Sequence, residues 1–117
     1  MEPAHLVGTG GAIGAVCRHY MGLWIQYDQF PLGTLGVNVI GSFILGLVTF
    51  IGLPTDAALL VGTGACGSFT TYSSFSFETV RLWETGDRLR ATIYAVGTLG
   101  LCLGAVALAV ALSLIFQ

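Results

Sequence analysis

The sequence predicts an all-α membrane protein: one domain, residues 1–117, made of four transmembrane helices with a break in the third. Three observations lead there. The chain is 55% hydrophobic and only 9% charged, and its mean hydropathy of +0.86 lies far above what a soluble domain of this size keeps in water. Its apolar residues gather in four runs separated by short polar turns. A bilayer core about 30 Å thick needs roughly 20 residues per helix at about 1.5 Å rise each, so four spans use up the chain. The third run alone is interrupted, by ACGSFTTYSSFSFET at 65–79, in which eight of fifteen residues carry a hydroxyl.

Composition also removes several function classes. Net charge is −2 and the chain has no lysine, so it offers neither a nucleic-acid footprint nor a basic membrane-surface helix. The first segment lacks a charged n-region followed by a small-residue cleavage site, which predicts a retained N-terminus. Cys17, Cys66 and Cys102 are odd in number, far apart and set in apolar or glycine-rich runs, a pattern of small buried residues rather than disulfides or metal ligands.

Span one runs from about Ala4 to Ile25, and Trp24 with Tyr27 at its far end suits the aromatic belt of a membrane interface. QYDQFP then turns the chain. Span two runs from about Leu32 to Leu53 with Asn38 as its one strongly polar side chain, and GLPTD after it places Pro54 and Asp56 at the next helix start. Span three is apolar only from Ala57 to Cys66, roughly half a membrane, before the hydroxyl-rich stretch begins. Span four, from about Ala91 to Phe116, is the longest uncharged run, and RLWETGDRLR before it reads as a water-exposed loop. An even count puts both termini on one side.

Gly10 and Gly14, Ser42 and Gly46, and Gly100 and Gly104 each form a small-xxx-small pair. Such pairs let helix backbones approach closely where lipid offers no hydrophobic drive for association, so packing is their plainest role. Residues 62–67 also match GxGxxG, with Asp87 at a fitting distance. That motif needs a preceding strand in a parallel sheet, which a bundle of membrane helices does not have.

The hydroxyl cluster has a better reading. Irregular backbone at membrane depth survives only where it is buried in protein or lines a cavity, and Gly67 with the residues after it reads as such a break. Carbonyls released by a broken helix make an oxygen cage for a small hard cation, and the hydroxyls that follow can line a polar path. The plainer alternative is that Ser and Thr bond back to the preceding turn, a need that eight hydroxyls exceed. Tyr72 and Phe75 are three apart and share a helix face, where ring edges carrying partial positive charge favour an anion, although such spacing also suits a core. Tyr94, Thr98 and Cys102 fall at i, i+4 and i+8 on span four. Asn38 adds an amide. An anion would meet neutral donors, which suit rapid passage better than tight binding.

With these residues in view the sequence resembles the Fluc/CrcB family of fluoride channels. The likeness covers nearly the whole chain through GAVCRHY in span one, GTLGVNVIGSFILG in span two, GACGSFTTYSSFSFET in span three and the Tyr94 stripe in span four. The resemblance implies an inverted, antiparallel dimer of four-helix subunits in the cell membrane, with two fluoride pores and a central sodium ion held by main-chain carbonyls. Matched by motif, Gly67 and Thr70 are the carbonyl positions for sodium. Asn38, Tyr72 and Phe75 match the pore asparagine and the paired aromatic rings, and Thr71, Ser73 and Ser74 are hydroxyls of the same motif. Tyr94 and Thr98 extend the path, Glu78 is an accessory carboxylate or a helix-end group facing water, and Arg18 occupies a family slot whose role stays open.

Three positions depart from the family pattern. Tyr72 stands where phenylalanine is usual, Ser68 where a second glycine is usual, and Cys102 where a serine often ends the span-four stripe. A thiol is a poorer donor than a hydroxyl, so the expectation is lower throughput with fluoride selectivity kept. The implied role is passive: fluoride entering as the neutral acid dissociates inside and leaves down its gradient. The arginines add a second expectation. Arg18, Arg81, Arg88 and Arg90 all fall on one side of a four-span topology, and arginine favours the cytoplasm. The subunit is therefore either a dual-topology homodimer that tolerates this bias or the partner of a related subunit of opposite orientation. Competing readings are a small four-helix exporter of another substrate, a membrane lipid kinase and a non-conducting assembly subunit. The first needs a membrane-embedded carboxylate in span one, the second a tight carboxylate cluster, and the third leaves the hydroxyl-rich break without a purpose.

Overall fold

The computed structural model describes residues 2–24 and 31–116. Ile25 and Tyr27, expected at the end of span one, and most of the turn after it lie outside the described residues. Within them the chain is mostly helical, with no strand.

Helix α1, Pro3–Trp24, opens with proline at its first position, where a missing N–H costs nothing, and the Glu2 carbonyl accepts from His5 and Leu6. Helix α2, Leu32–Phe50, follows Pro31 and ends three residues short of the expected Leu53, because Gly52 at φ +74° turns the chain and Pro54 cannot continue a helix. Helix α3 covers residues 55–69 and has three parts. A turn at Thr55–Ala57 leads into a π-helical stretch, Ala58–Cys66, which ends in a further α-helical turn, Gly67–Phe69. A π-helical stretch is rare and wider than an α-helix.

Gly67 is not where the chain leaves the helix. It keeps helical angles of −61° and −37°, and the extended residues are Thr70 (φ −80°, ψ 160°) and Thr71 (φ −149°, ψ 118°). Helix α4, Tyr72–Glu84, begins where the Thr71 hydroxyl accepts from the Ser74 N–H at 3.1 Å, an N-cap. The charged segment before span four is mostly helix rather than loop. Only residues 85–87 turn, with Gly86 at φ +90°, before helix α5, Arg88–Ile115, starts three residues earlier than expected. Asp87 caps it and pairs with Arg90 at 3.4 Å, while Arg88 lies over the Trp83 ring at 5.0 Å.

Packing fixes the directions of the helices. Gly10 lies against Leu60 and Ala65, Gly14 against Ala65 and Ser68, and the Ser68 hydroxyl donates to the Gly11 carbonyl at 2.6 Å, so α1 and α3 run parallel. A Cβ on Gly64 would stand 2.7 Å from the Val7 carbonyl oxygen and 3.0 Å from Gly10 Cα, so this crossing needs glycine on both helices. On the other side Gly46 faces Val106 and Ala109, which aligns α2 with α5. Gly100 and Gly104 have open space beside them instead, so the third small pair does not pack within the chain.

The chain measures 48 × 31 × 21 Å, about two helices thick in its thin direction. Its core is accordingly sparse, with Leu6, Val37, Val48, Cys66, Ala91, Tyr94 and Ala109 buried while many large apolar side chains face outward along α1, α2 and α5. Helices α2 and α5 have the length and hydropathy to cross a bilayer. A surface this apolar suits lipid or another subunit, not water.

Candidate functional site

Most of the predicted pore residues converge on the extended residues Thr70 and Thr71 between α3 and α4. Thr71, extended between α3 and α4, has lost the helical ladder on both its backbone groups, and Asn38 of α2 replaces them. The Thr71 N–H donates to Asn38 Oδ1 at 2.7 Å, and Asn38 Nδ2 donates to the Thr71 carbonyl at 3.0 Å. One buried amide thus satisfies a donor and an acceptor that would each be costly to leave unmade. One Asn38 donor is spent on this, so a single amide hydrogen remains for anything in the path.

The same rearrangement frees carbonyls. In a continuous helix the Gly67 carbonyl would accept from the Thr71 N–H, which now points to Asn38. Thr70 turns its own N–H and its hydroxyl back to the Cys66 carbonyl, at 3.1 Å and 2.9 Å. Among the described residues no hydrogen bond reaches the carbonyls of Gly67 or Thr70. Gly67 is exposed with open space around it. Gly41, one turn beyond Asn38, has no side chain because the Thr70 methyl occupies that space.

Beside the interruption, a cavity of about 300 Å³ opens between α2, α4 and α5. Asn38, Thr70, Thr71, Tyr72, Phe75, Thr98 and Cys102 all line it, with Leu45 and Leu99 supplying apolar wall. Thr98 is 6% exposed, and its hydroxyl has no hydrogen-bond partner among the described residues. A buried hydroxyl left without a partner beside a cavity marks a place where a ligand or water belongs.

A second polar group stands one turn nearer the arginine-bearing end. Glu78 of α4 accepts from the Thr34 hydroxyl at 2.8 Å and from the Tyr94 hydroxyl at 3.2 Å, which ties α2, α4 and α5 together. The Tyr94 ring, almost fully buried, meets Phe75 at 5.2 Å between centroids with a 47° tilt. Phe75 in turn lies 6.1 Å from Tyr72. Both separations fall in the range of attractive ring pairs.

With this geometry described, the comparisons become informative. The sequence model of the family described as "CrcB-like protein, Camphor Resistance (CrcB)" matches residues 5–110. The chain belongs to the CrcB family. A protein of Haloarcula marismortui named Fluoride-specific ion channel FluC 2 is 63% identical over 109 residues, 93% of this chain and 92% of its own length. Fluoride-specific ion channel FluC 1 of Halobacterium salinarum is 48% identical over 95% of this chain and 90% of its own, and Fluoride-specific ion channel FluC of Rhizobium leguminosarum is 40% identical over 91% of each.

Not every residue named for this CrcB-family chain joins the cavity. Tyr72 is 81% exposed although it touches the cavity's rim, and Ser73 is exposed on the opening turn of α4. Ser74 serves through its backbone N–H in the Thr71 cap. Arg18 is exposed on α1, a helix that contributes nothing to the cavity lining. Glu78 does not simply face water at a helix end, since two hydroxyls hold it. Thr34 and Gly41 were missed. They sit four residues before and three after Asn38, on the same face of α2, so extending the helical stripe from Asn38 would have found both.

Proposed function

We propose that this chain is a subunit of a fluoride-selective channel, crossing the cell membrane several times and lowering cytoplasmic fluoride by passive export. The observation that carries the reading is the buried Thr98 hydroxyl, without a partner among the described residues, beside Asn38, Thr71 and Phe75 in one cavity. A small anion is held there by neutral donors and a ring edge, without a fixed cation to trap it. The names of the relatives point to the same ion. Thr34, Glu78 and Tyr94 stand toward the arginine-bearing end, where both hydroxyls donate to the carboxylate and hold α2, α4 and α5 together beside the path.

Residues 55–84 act as one interrupted membrane span in this reading. The carbonyls of Gly67 and Thr70, which have no hydrogen-bond donor among the described residues, fit a hard monovalent cation such as sodium. When bound, that ion supplies positive charge that neutralises these carbonyl dipoles and fixes the interruption. Tyr72, Ser73 and Gly67, exposed near the middle of the chain's apolar thickness, are the groups that an inverted second subunit covers. An exposed phenol at that depth needs such cover.

The partner's orientation follows from charge. Arg18, Arg81, Arg88 and Arg90 lie toward the end of the bundle that carries the α4–α5 turn, and none lies near the opposite end with Glu2 and Asp56. Arginine favours the cytoplasmic side, so the chain either inserts with both termini outside and pairs with a related chain of opposite bias, or tolerates the bias as a dual-topology homodimer. The experiment that tests the function is fluoride efflux from liposomes holding the purified protein, followed with a fluoride electrode, with chloride-loaded liposomes and Phe75→Ile as controls. Fast efflux of fluoride alone, lost in the variant, is expected. Silence from this chain both alone and with a related chain of opposite bias defeats the reading.

A further inference from the structure

The pathway cavity contains a thiol. Cys102 lies on α5 one helical turn beyond Thr98, and both line the same cavity of about 300 Å³. Cys102 is half-buried, where Cys66 is buried and packed away from this cavity and Cys17 is exposed on α1. The neighbouring Thr98 hydroxyl is buried and without a partner among the described residues. The thiol therefore faces a space that a ligand enters. At about 30 Å³ per water, that space holds on the order of ten water molecules, enough for a small reagent to reach the sulfur.

We infer that Cys102 is a modification site inside the conducting path, open to small neutral thiol-directed electrophiles, and that its modification closes the path. The inference rests on the channel reading given above. A neutral reagent is the right class because the cavity presents hydroxyls, an amide, rings and aliphatic wall and no charged side chain. Modification replaces a thiol with a larger apolar group beside Thr98, which covers the one buried hydroxyl of the cavity that has no partner among the described residues. An anion then loses a donor and meets an apolar wall.

The probe is methyl methanethiosulfonate. The Cys102 thiolate attacks the sulfenyl sulfur, an S–S bond forms to a methylthio group, methanesulfinate leaves, and the thiol proton goes to the buffer. The starting protein carries Cys17→Ser and Cys66→Ala, so that Cys102 is its sole thiol, and is reconstituted in liposomes with its partner if one is needed. Fluoride efflux is read before and after the reagent, and the adduct is mapped by peptide mass spectrometry. Efflux falling at least tenfold in step with the adduct at Cys102, recovering on reduction, supports the inference. Adding Cys102→Ser, or Cys102→Ala if the serine variant folds poorly, removes the response whatever its own rate.

Complete modification of Cys102 with unchanged efflux overturns the closure. No adduct at Cys102 under conditions that label Cys17 in the unsubstituted protein overturns the site itself. Absence of fluoride efflux before any reagent defeats the channel reading and closure with it, and the peptide map then still decides whether the thiol is reachable. Fluoride slowing the reaction at Cys102, where chloride does not, is the further sign that the ion and the reagent share one space.

Discussion

Replacing Asn38 with leucine is the sharpest test of how the interruption is held. The side chains are similar in size, so packing is largely kept, but both hydrogen bonds to the Thr71 backbone, at 2.7 Å and 3.0 Å, disappear. A half-buried N–H and C=O lose these partners, at about 1–3 kcal/mol each. Even the lower total, about 2 kcal/mol, disfavours the extended Thr71 geometry by roughly thirtyfold at 1.36 kcal/mol per decade. Fluoride efflux per reconstituted protein should therefore fall at least thirtyfold, with a lower unfolding temperature in detergent. Asn38→Asp separates the two roles of the amide, because a carboxylate still accepts the Thr71 N–H but repels an anion. Part of the stability should return while efflux stays low. Wild-type efflux from folded Asn38→Leu protein would refute the reasoning, since the interruption would then hold without its clamp.

Other expectations follow from the same geometry. Tyr72→Phe, which removes a phenol from the cavity rim, should raise efflux a few-fold, and an electrode trace no faster than wild type would speak against the phenol as a restriction. Gly14→Ala pushes a methyl into the Ala65 carbonyl and the Ser68 hydroxyl, and overpacking of this kind costs about 1–3 kcal/mol, read as a lower melting temperature in detergent. Glu78→Gln weakens two charge-assisted hydrogen bonds from Thr34 and Tyr94, so efflux should drop about tenfold, a loss that Glu78→Asp does not repair if reach matters. Placing a cysteine at residue 2 in a background without other thiols, and labelling right-side-out and inverted membrane vesicles separately with an impermeant maleimide, should mark the outer face only. Equal labelling from both faces would overturn the fixed orientation.

The sequence carried the number and order of the helices because lipid-length apolar runs leave few alternatives, and Pro31, Gly52 and Gly86 mark the turns as well as any soluble motif does. Asn38, Phe75, Thr98 and Cys102 were legible as cavity residues because helical spacing and polarity in an apolar chain are both strong signals. The position of the interruption was not. Gly67 draws attention as the flexible residue, yet nothing forces a glycine out of a helix when its neighbours pack well. The interruption falls at Thr70 and Thr71 because Asn38 from another helix offers Thr71 a better partner than its own ladder. The π-helical winding of 58–66 was likewise invisible, since its glycines announce close packing but not the handling of the backbone. The extent of the charged turn was overestimated for a related reason. Arginines and glutamates are good helix formers, and α4 and α5 take them in as terminal turns.

The Asn38 clamp also has a consequence for how such chains can change over time. The conformation of Thr71 is written in a different helix, so neither segment specifies the interruption alone. An insertion or deletion of one residue in α2 before Asn38 would rotate the amide by about 100° around its helix axis and leave Thr71 with no counterpart. Side chains of the third segment that do not pack against α1, such as the exposed Tyr72, can therefore change while the spacing from Pro31 to Asn38 is held. Exchanging the third segment between two relatives should succeed where that spacing agrees and fail where it differs, however similar the exchanged residues look.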